Sequence, residues 1–189
     1  MKKLFLLLVF AVLGIGSAFV LQKGQAQYTR ASVSSKTSVD IPTQIVIPKL
    51  DVSAPIEAVG VDKENRMDVP KNVYNTAWYK YGPKPGELGS AVIDGHFDTP
   101  TGSPSVFWNL KDLSPGDIIR VIDTKGKSYT FSVVEEAKYP VTDIPLMRIF
   151  SPNTVPMLNL ITCAGVWDGA SKSYTQRIVV YSRLKDSSH

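Results

Sequence analysis

The chain carries a single cysteine, Cys163, in the run NLITCAG at 159–165. It carries two histidines, one of which, His189, is the last residue. A thiol acts as a nucleophile only as thiolate, or beside a base that can produce one. Acyl transfer also requires a proton donor for the leaving group and donors for the developing oxyanion. Chain ends are poorly ordered by default, so His96, in AVIDGHFDTP, is the histidine left to partner Cys163. Both residues end apolar β runs, and each lies close to a glycine, Gly95 or Gly165. If those two strands are neighbours pointing the same way, both side chains emerge at one rim, where sites are commonly built on a rigid scaffold. Arg177 opens the next apolar run, RIVVYSRL. Were that strand antiparallel to the cysteine strand, a permanently charged fork of donors would stand beside the thiol and offset oxyanion charge. Taken singly, each residue has a plainer reading. These are a buried cysteine acting as a small hydrophobe, a loop histidine with a satisfied hydrogen bond, and a solvated charge at a strand end.

Other chemistries fit poorly. Zinc sites draw several Cys, His or carboxylate ligands from short spacings, and the sequence offers one cysteine and one usable histidine. No metal or other cofactor is expected. Asp62, Glu64 and Asp68 in GVDKENRMD lack the full EF-hand pattern and read as a polar hairpin loop. There is no Walker loop, no GxGxxG and no G-x-S-x-G. The net charge of +4 is spread along the chain, without the clustered Lys and Arg of a nucleic-acid footprint, so no nucleic-acid partner is expected.

The N-terminus sets the compartment. Lys2 and Lys3 precede an uncharged apolar run at 4–21. At about 1.5 Å per residue this run spans roughly 27 Å, enough to cross a hydrocarbon core. Lysines before it and no acid favour an inside N-terminus. The expectation is a cytoplasmic tail at 1–3 and a retained single-pass signal-anchor at 4–21, with the remainder outside the cell. A cleaved signal peptide is the competing reading, since small residues at 16–18 and 24–26 would suit a cleavage site. Either way the chain is exported, where cysteines are usually paired. A lone one must link two chains, lie inert in a core, or work as a thiol.

Residues 22–42 are rich in Gln, Ser, Thr and Lys and read as a flexible stalk, leaving a domain at 43–185. Strand patterns dominate that domain: QIVIPKL, IEAVGV, SAVIDGH, DIIRVID, SYTFSVVEEA, LNLITCA and RIVVYSRL. Thr124-Lys125-Gly126-Lys127 reads as a hairpin connection. Helical signals are short: about two turns within 103–113 and one within 145–150. Many short strands separated by turn residues indicate an all-β closed barrel or a sandwich, and the pattern does not choose between them.

With those residues assembled, the chain resembles the sortases, the cysteine transpeptidases of Gram-positive cell surfaces. LITC at 160–163 is similar to their TLxTC signature, with Asn159 where Thr is usual. Gly95-His96 and Arg177 followed by IVVY match the other two signatures, in the same order. IPKLDVSAPIEAVGVD, PGELGSAVIDGHFD and PSVFWNLKDLSPGD resemble the class E/F or class D-like members most. The resemblance implies a closed eight-stranded sortase-type β-barrel with one or two short helices. It implies cleavage of an LPxTG-like sorting signal between Thr and Gly through a thioester on Cys163. Transfer to an amine of a peptidoglycan precursor, or to a pilin lysine, would follow. His96 would serve as acid and base, and Arg177 would hold the carbonyl oxygen. Thr162, Ile144, Pro145, Leu146 and Trp167 would touch the signal. Asp98 would orient His96 or be a solvated loop carboxylate, and Ala164-Gly165 would leave room for a substrate backbone. The alternatives are another exported cysteine amidase or peptidase acting on peptidoglycan, and a non-catalytic surface β-domain.

Overall fold

The computed structural model describes residues 38–185. The apolar run at 4–21, the stalk as far as residue 37, and His189 lie outside the described residues. Eight strands follow in chain order: β1 (Pro42–Ile47), β2 (Val52–Val59), β3 (Thr76–Tyr79), β4 (Gly89–Gly95), β5 (Ile118–Asp123), β6 (Ser128–Pro140), β7 (Pro156–Asp168) and β8 (Ser173–Leu184). They close into a barrel in the order β1-β2-β3-β4-β7-β8-β6-β5, which decides between barrel and sandwich. Closure leaves no strand of the barrel as an open edge.

Three local outcomes differ from the sequence pattern. QIVIPKL is not one strand, because Pro48 starts a 3-10 turn (Pro48–Leu50) and Asp51 turns left-handed at φ 54° before β2 begins. Proline has no N–H to give a ladder, so the break falls where that donor is missing. β3, TAWY, was not foreseen, since four residues are too few to show a period. The two turns of helix expected within 103–113 reduce to a 3-10 turn at Leu110–Asp112. The amides of Ser105 and Phe107 instead donate to the carbonyls of Phe97 and His96, both at 3.0 Å, which excludes an α-helical ladder there. The other expected helix is a single turn, α1 (Leu146–Ile149). The hairpin connection after β5 forms as expected, with Asp123 Oδ1 accepting the amides of Lys125 and Lys127.

Alternation sorts side chains to the two sides of the barrel wall. Ile93 on β4, Leu158 and Leu160 on β7, and Ile178 and Val180 on β8 fill the interior with Ile45, Ile119 and Phe131. Phe107 and Leu110, both fully buried, join them from the segment after β4. The intervening positions face outward. There Val92, Val179 and Tyr181 form a second, smaller cluster under Ile149 of α1.

Gly95 ends β4 against Phe107. A Cβ on Gly95 would lie 2.5 Å from the Phe107 ring, closer than any real contact, so the glycine before His96 is a packing requirement. Gly95→Ala is expected to lower unfolding free energy by about 1–3 kcal/mol in urea titrations, through overpacking. Adding Phe107→Leu should recover part of that loss, because the two changes share one contact. Strictly additive losses would refute the contact as the cause.

Candidate active site

β4 and β7 are parallel neighbours, with Asp94 opposite Ile161. β7 and β8 are antiparallel, with Cys163 directly opposite Arg177. The strand carrying His96 and the strand carrying Cys163 therefore point the same way and end at one rim. His96, Cys163 and Arg177 line a single groove of about 830 Å³ on the outer face of these strands, a size suited to a small ligand or a short peptide segment. Asp94 and Ile161 share its floor. One wall is the β2–β3 loop from Val61 to Val69, and the other is the β6–β7 segment with Ile144, Leu146 and Phe150.

The residues expected to touch a sorting signal divide. Ile144 and Leu146 line the groove, whereas Pro145 between them does not. Thr162 does not line it either, which corrects the expectation for that residue. By alternation it faces inward, is 1% exposed, and its Oγ1 donates to the Gly95 carbonyl at 2.7 Å. It ties the cysteine strand to the end of the histidine strand. Trp167 also lies outside the groove. It is an exposed member of an aromatic row that runs through Tyr174 and Phe97 to Trp108. Ala164-Gly165 is not open space for a backbone. Ala164 is buried, and Gly165, at φ 83°, forms a bulge whose Cβ position is filled by Thr175 and Gln176.

Asn159, on the outward face of β7 four residues before Cys163, donates from Nδ2 to the Ile149 carbonyl at 2.6 Å and so anchors α1. Arg148 of α1 adds a second anchor: it donates to Glu135 on β6 and lies 3.9 Å over the Tyr181 ring. The sequence suggested neither link, since each joins a side chain of one element to a neighbouring element across a turn of the chain.

His96 Nε2 donates to the Pro70 carbonyl at 3.2 Å, which leaves Nδ1 with the free lone pair in the neutral ring. Pro70 is held in turn by Glu57 of β2. Its carboxylate accepts the amides of Lys71 and Asn72 and the side-chain amide of Asn75. These bonds keep Glu57 below the usual carboxylate range, the Lys71 amide most of all. Asp98 does not hydrogen-bond His96; it accepts from the Tyr174 hydroxyl, and that bond leads in pushing the phenol up to about 12. Arg177 donates from Nη1 to the carbonyls of Tyr174 and Gln176, and from Nη2 to Ser173 Oγ. Its Nε–H and one Nη2 hydrogen have no partner among the described residues.

Cys163 and Asp94 are perturbed as well. Burial pushes the Cys163 thiol up, Arg177 pulls it back, and Asp94 and Asp98 add to the rise. Asp94 itself rises to about 6, because burial outweighs the pull of His96 and Arg177. Asp94 escaped the sequence reading, although it sits two residues before His96 and hence on the same strand face. Among the described residues no cluster of three or more His, Cys, Asp or Glu side chains could hold a metal. Asp62 and Asp68 cap their own loop, accepting amides of Glu64, Arg66 and Val69.

Two measurements follow from these charges. With the thiol raised from 9.0, iodoacetamide labelling of Cys163 should still be accelerating above pH 9. Arg177→Gln should move the midpoint to higher pH, because a stabilising cation is lost. A midpoint near neutrality, or a downward move in Arg177→Gln, would overturn this assignment. Asp94 has a folded value above its unfolded one of 3.8. Its contribution to stability is therefore full below pH 3.8 and lost as pH rises through about 6. Asp94→Asn should accordingly melt roughly 2–5 °C higher than the parent at pH 7.5, with the gap closing below pH 4. An equal gap at both pH values would show that ionisation is not the cause.

The chain's relatives agree with this architecture. No curated protein matches it. Among solved structures it is similar to sortase A from Corynebacterium diphtheriae, at 24% identity over 79% of this chain with a TM-score of 0.57. It is similar to sortase C1 from Streptococcus agalactiae, at 19% identity over 77% of this chain with a TM-score of 0.59. It is also similar to sortase C-1 from Actinomyces oris, at 23% identity over 76% of this chain with a TM-score of 0.55. It spans 62% of the first of those chains, 67% of the second and 71% of the third. At these identities the likeness is one of fold. A family model for the sortase domain matches residues 45–185, which include the barrel from within β1 to the end of β8 and the whole groove. The chain belongs to the sortase family.

Proposed function

We propose that this protein is a cysteine transpeptidase that cleaves an LPxTG-like sorting signal between Thr and Gly and passes the acyl group to an amine. One observation carries the proposal: Cys163, His96 and Arg177 meet at one end of a groove with an apolar wall. A buried inert cysteine would not need that company, which disfavours a non-catalytic surface domain. Another exported cysteine amidase or peptidase acting on peptidoglycan is the remaining competitor, and the sortase-domain match weighs against it.

In this mechanism the Leu-Pro part of the signal lies against Ile144 and Leu146, and the scissile carbonyl sits over Cys163. As the Cys163 thiol gives its proton to His96 Nδ1, the sulfur attacks the carbonyl carbon, and the oxyanion is stabilised by the free Nε–H and Nη2–H of Arg177. Arg177 transfers no proton, because guanidinium stays charged. His96, with Nε2 held by Pro70, works through Nδ1. It protonates the departing glycine amine, leaving a thioester, and then takes a proton from the incoming amine. The apolar wall keeps water away from the thioester, favouring transfer over hydrolysis. The acceptor is an amine of a peptidoglycan precursor or a pilin lysine. Residues 43–185 form the catalytic domain, held outside the cell by the 4–21 anchor and the 22–42 stalk. The quoted sequence segments favour class E/F or a class D-like sortase.

Cleavage of a fluorogenic LPxTG peptide by the purified protein tests the proposal. Cys163→Ala and His96→Ala should each lose at least ~10³-fold in kcat/KM. Arg177→Lys should lose about 10²-fold or more, since charge survives but the fork does not. Full activity in His96→Ala would refute the mechanism. No cleavage of any sorting-signal peptide, with an exported peptidoglycan amide hydrolysed instead, would favour the competing reading.

A further inference from the structure

Asp94 lies on the groove floor with Cys163, His96 and Arg177, and the proposed chemistry gives it no part. Its place follows from strand geometry. Val92, Asp94 and His96 alternate outward along β4, and Ile161 and Cys163 do the same along the parallel β7. Arg177 on β8 faces Cys163. A carboxyl thus shares one groove floor with the thiol and the guanidinium. Asp94 is half-buried there, and a carboxylate drawn out of water is costly unless it is paired. Yet among the described residues no side chain forms a salt bridge or hydrogen bond with Asp94. The other groove acids are provided for. Asp62 pairs with Arg66 at 2.7 Å, and Asp68 caps the Val69 amide at 2.9 Å. Asp98, past the end of β4, is taken by Tyr174. The remaining titratable group facing the groove is Tyr79 of β3.

We propose that Asp94 is an electrostatic positioning residue, the counter-charge to Arg177 that holds Cys163 as a thiol beside His96 until substrate arrives. The proposal rests on the cysteine acyl-transfer reading of the site. The physical argument concerns signs. Arg177 favours thiolate, which would leave a charged nucleophile exposed to oxidants and to stray electrophiles. A carboxylate on the same floor opposes that cation at Cys163. Burial already favours the thiol, and Asp94 adds to that against the pull of Arg177, so the proton the leaving amine needs is kept on Cys163. With Asp94 the proton stays within the Cys163–His96 pair.

The rate of Cys163 alkylation by iodoacetamide, an uncharged probe, is followed against pH on the full chain. Asp94→Asn, near in shape and without charge, should move the midpoint about half a pH unit or more lower. Asp94→Glu, larger but charged, should keep it near the parent value. An unmoved midpoint in Asp94→Asn overturns the proposal. So does an equal shift in Asp94→Asn and Asp94→Glu, which would indicate loosened packing and a wetter thiol. If Asp94→Asn does not fold, Asp94→Ser carries the same test. The assay needs no peptide. A shifted midpoint in a protein that cleaves no sorting signal would sink the transpeptidase reading and leave the Asp94 coupling in place. An unshifted midpoint in an active transpeptidase would do the reverse.

Discussion

The parallel pairing of β4 with β7 is the constraint on which the site depends. Two parallel strands in register deliver their C-terminal ends to the same rim, so His96 and Cys163 are brought together by backbone hydrogen bonds before any side chain contributes. Parallel neighbours cannot be joined by a tight turn and need a long crossover. Here the crossover runs from residue 96 to residue 155, and its last stretch, with α1, becomes the groove wall. Topology that solves the strand problem also supplies one wall of the groove. The Thr162–Gly95 bond and the Gly95–Phe107 contact then hold the end of β4 between the cysteine strand and Phe107.

Electrostatics at that rim are a contest between burial and neighbours. Removing Cys163 and Asp94 from water favours their neutral forms, and Arg177 opposes this for both. Arg177 is steadied by three donations to its own hairpin, so it acts as a fixed charge. His96 is steadied from outside its strand, through Pro70 and the Glu57 carboxylate that organises residues 71–75. Such preorganisation means little rearrangement accompanies charge movement, which is the usual source of catalytic advantage in enclosed sites.

Much of this was legible in the sequence because strands are local patterns. Seven of the strand-rich runs, the turn after β5 and the single-turn α1 could be read from alternation, glycine and proline. So could the three residues at the rim, since a lone exported cysteine and one usable histidine leave few pairings. What escaped was set by contacts distant in the chain. TAWY is a strand because β2 and β4 flank it, not because four residues specify one. Residues 103–113 lose their helix because the amides of Ser105 and Phe107 are spent on the carbonyls after β4. Thr162 looked like a substrate contact for its nearness to Cys163, but a period of two puts neighbours on opposite faces. The same period points to Asp94, which it places on the face of His96 within the strand run SAVIDGH.

The α1 wall has a further consequence. It belongs to no strand, and two side-chain anchors, Asn159 from β7 and the Glu135–Arg148 pair from β6, fasten it to the barrel. Sequence drift within 141–155 that spares those anchors can reshape the wall without disturbing the rim. In modular terms the segment is a panel fastened to the barrel at two points, whose apolar surface can be recast while the rim that holds Cys163, His96 and Arg177 keeps its geometry.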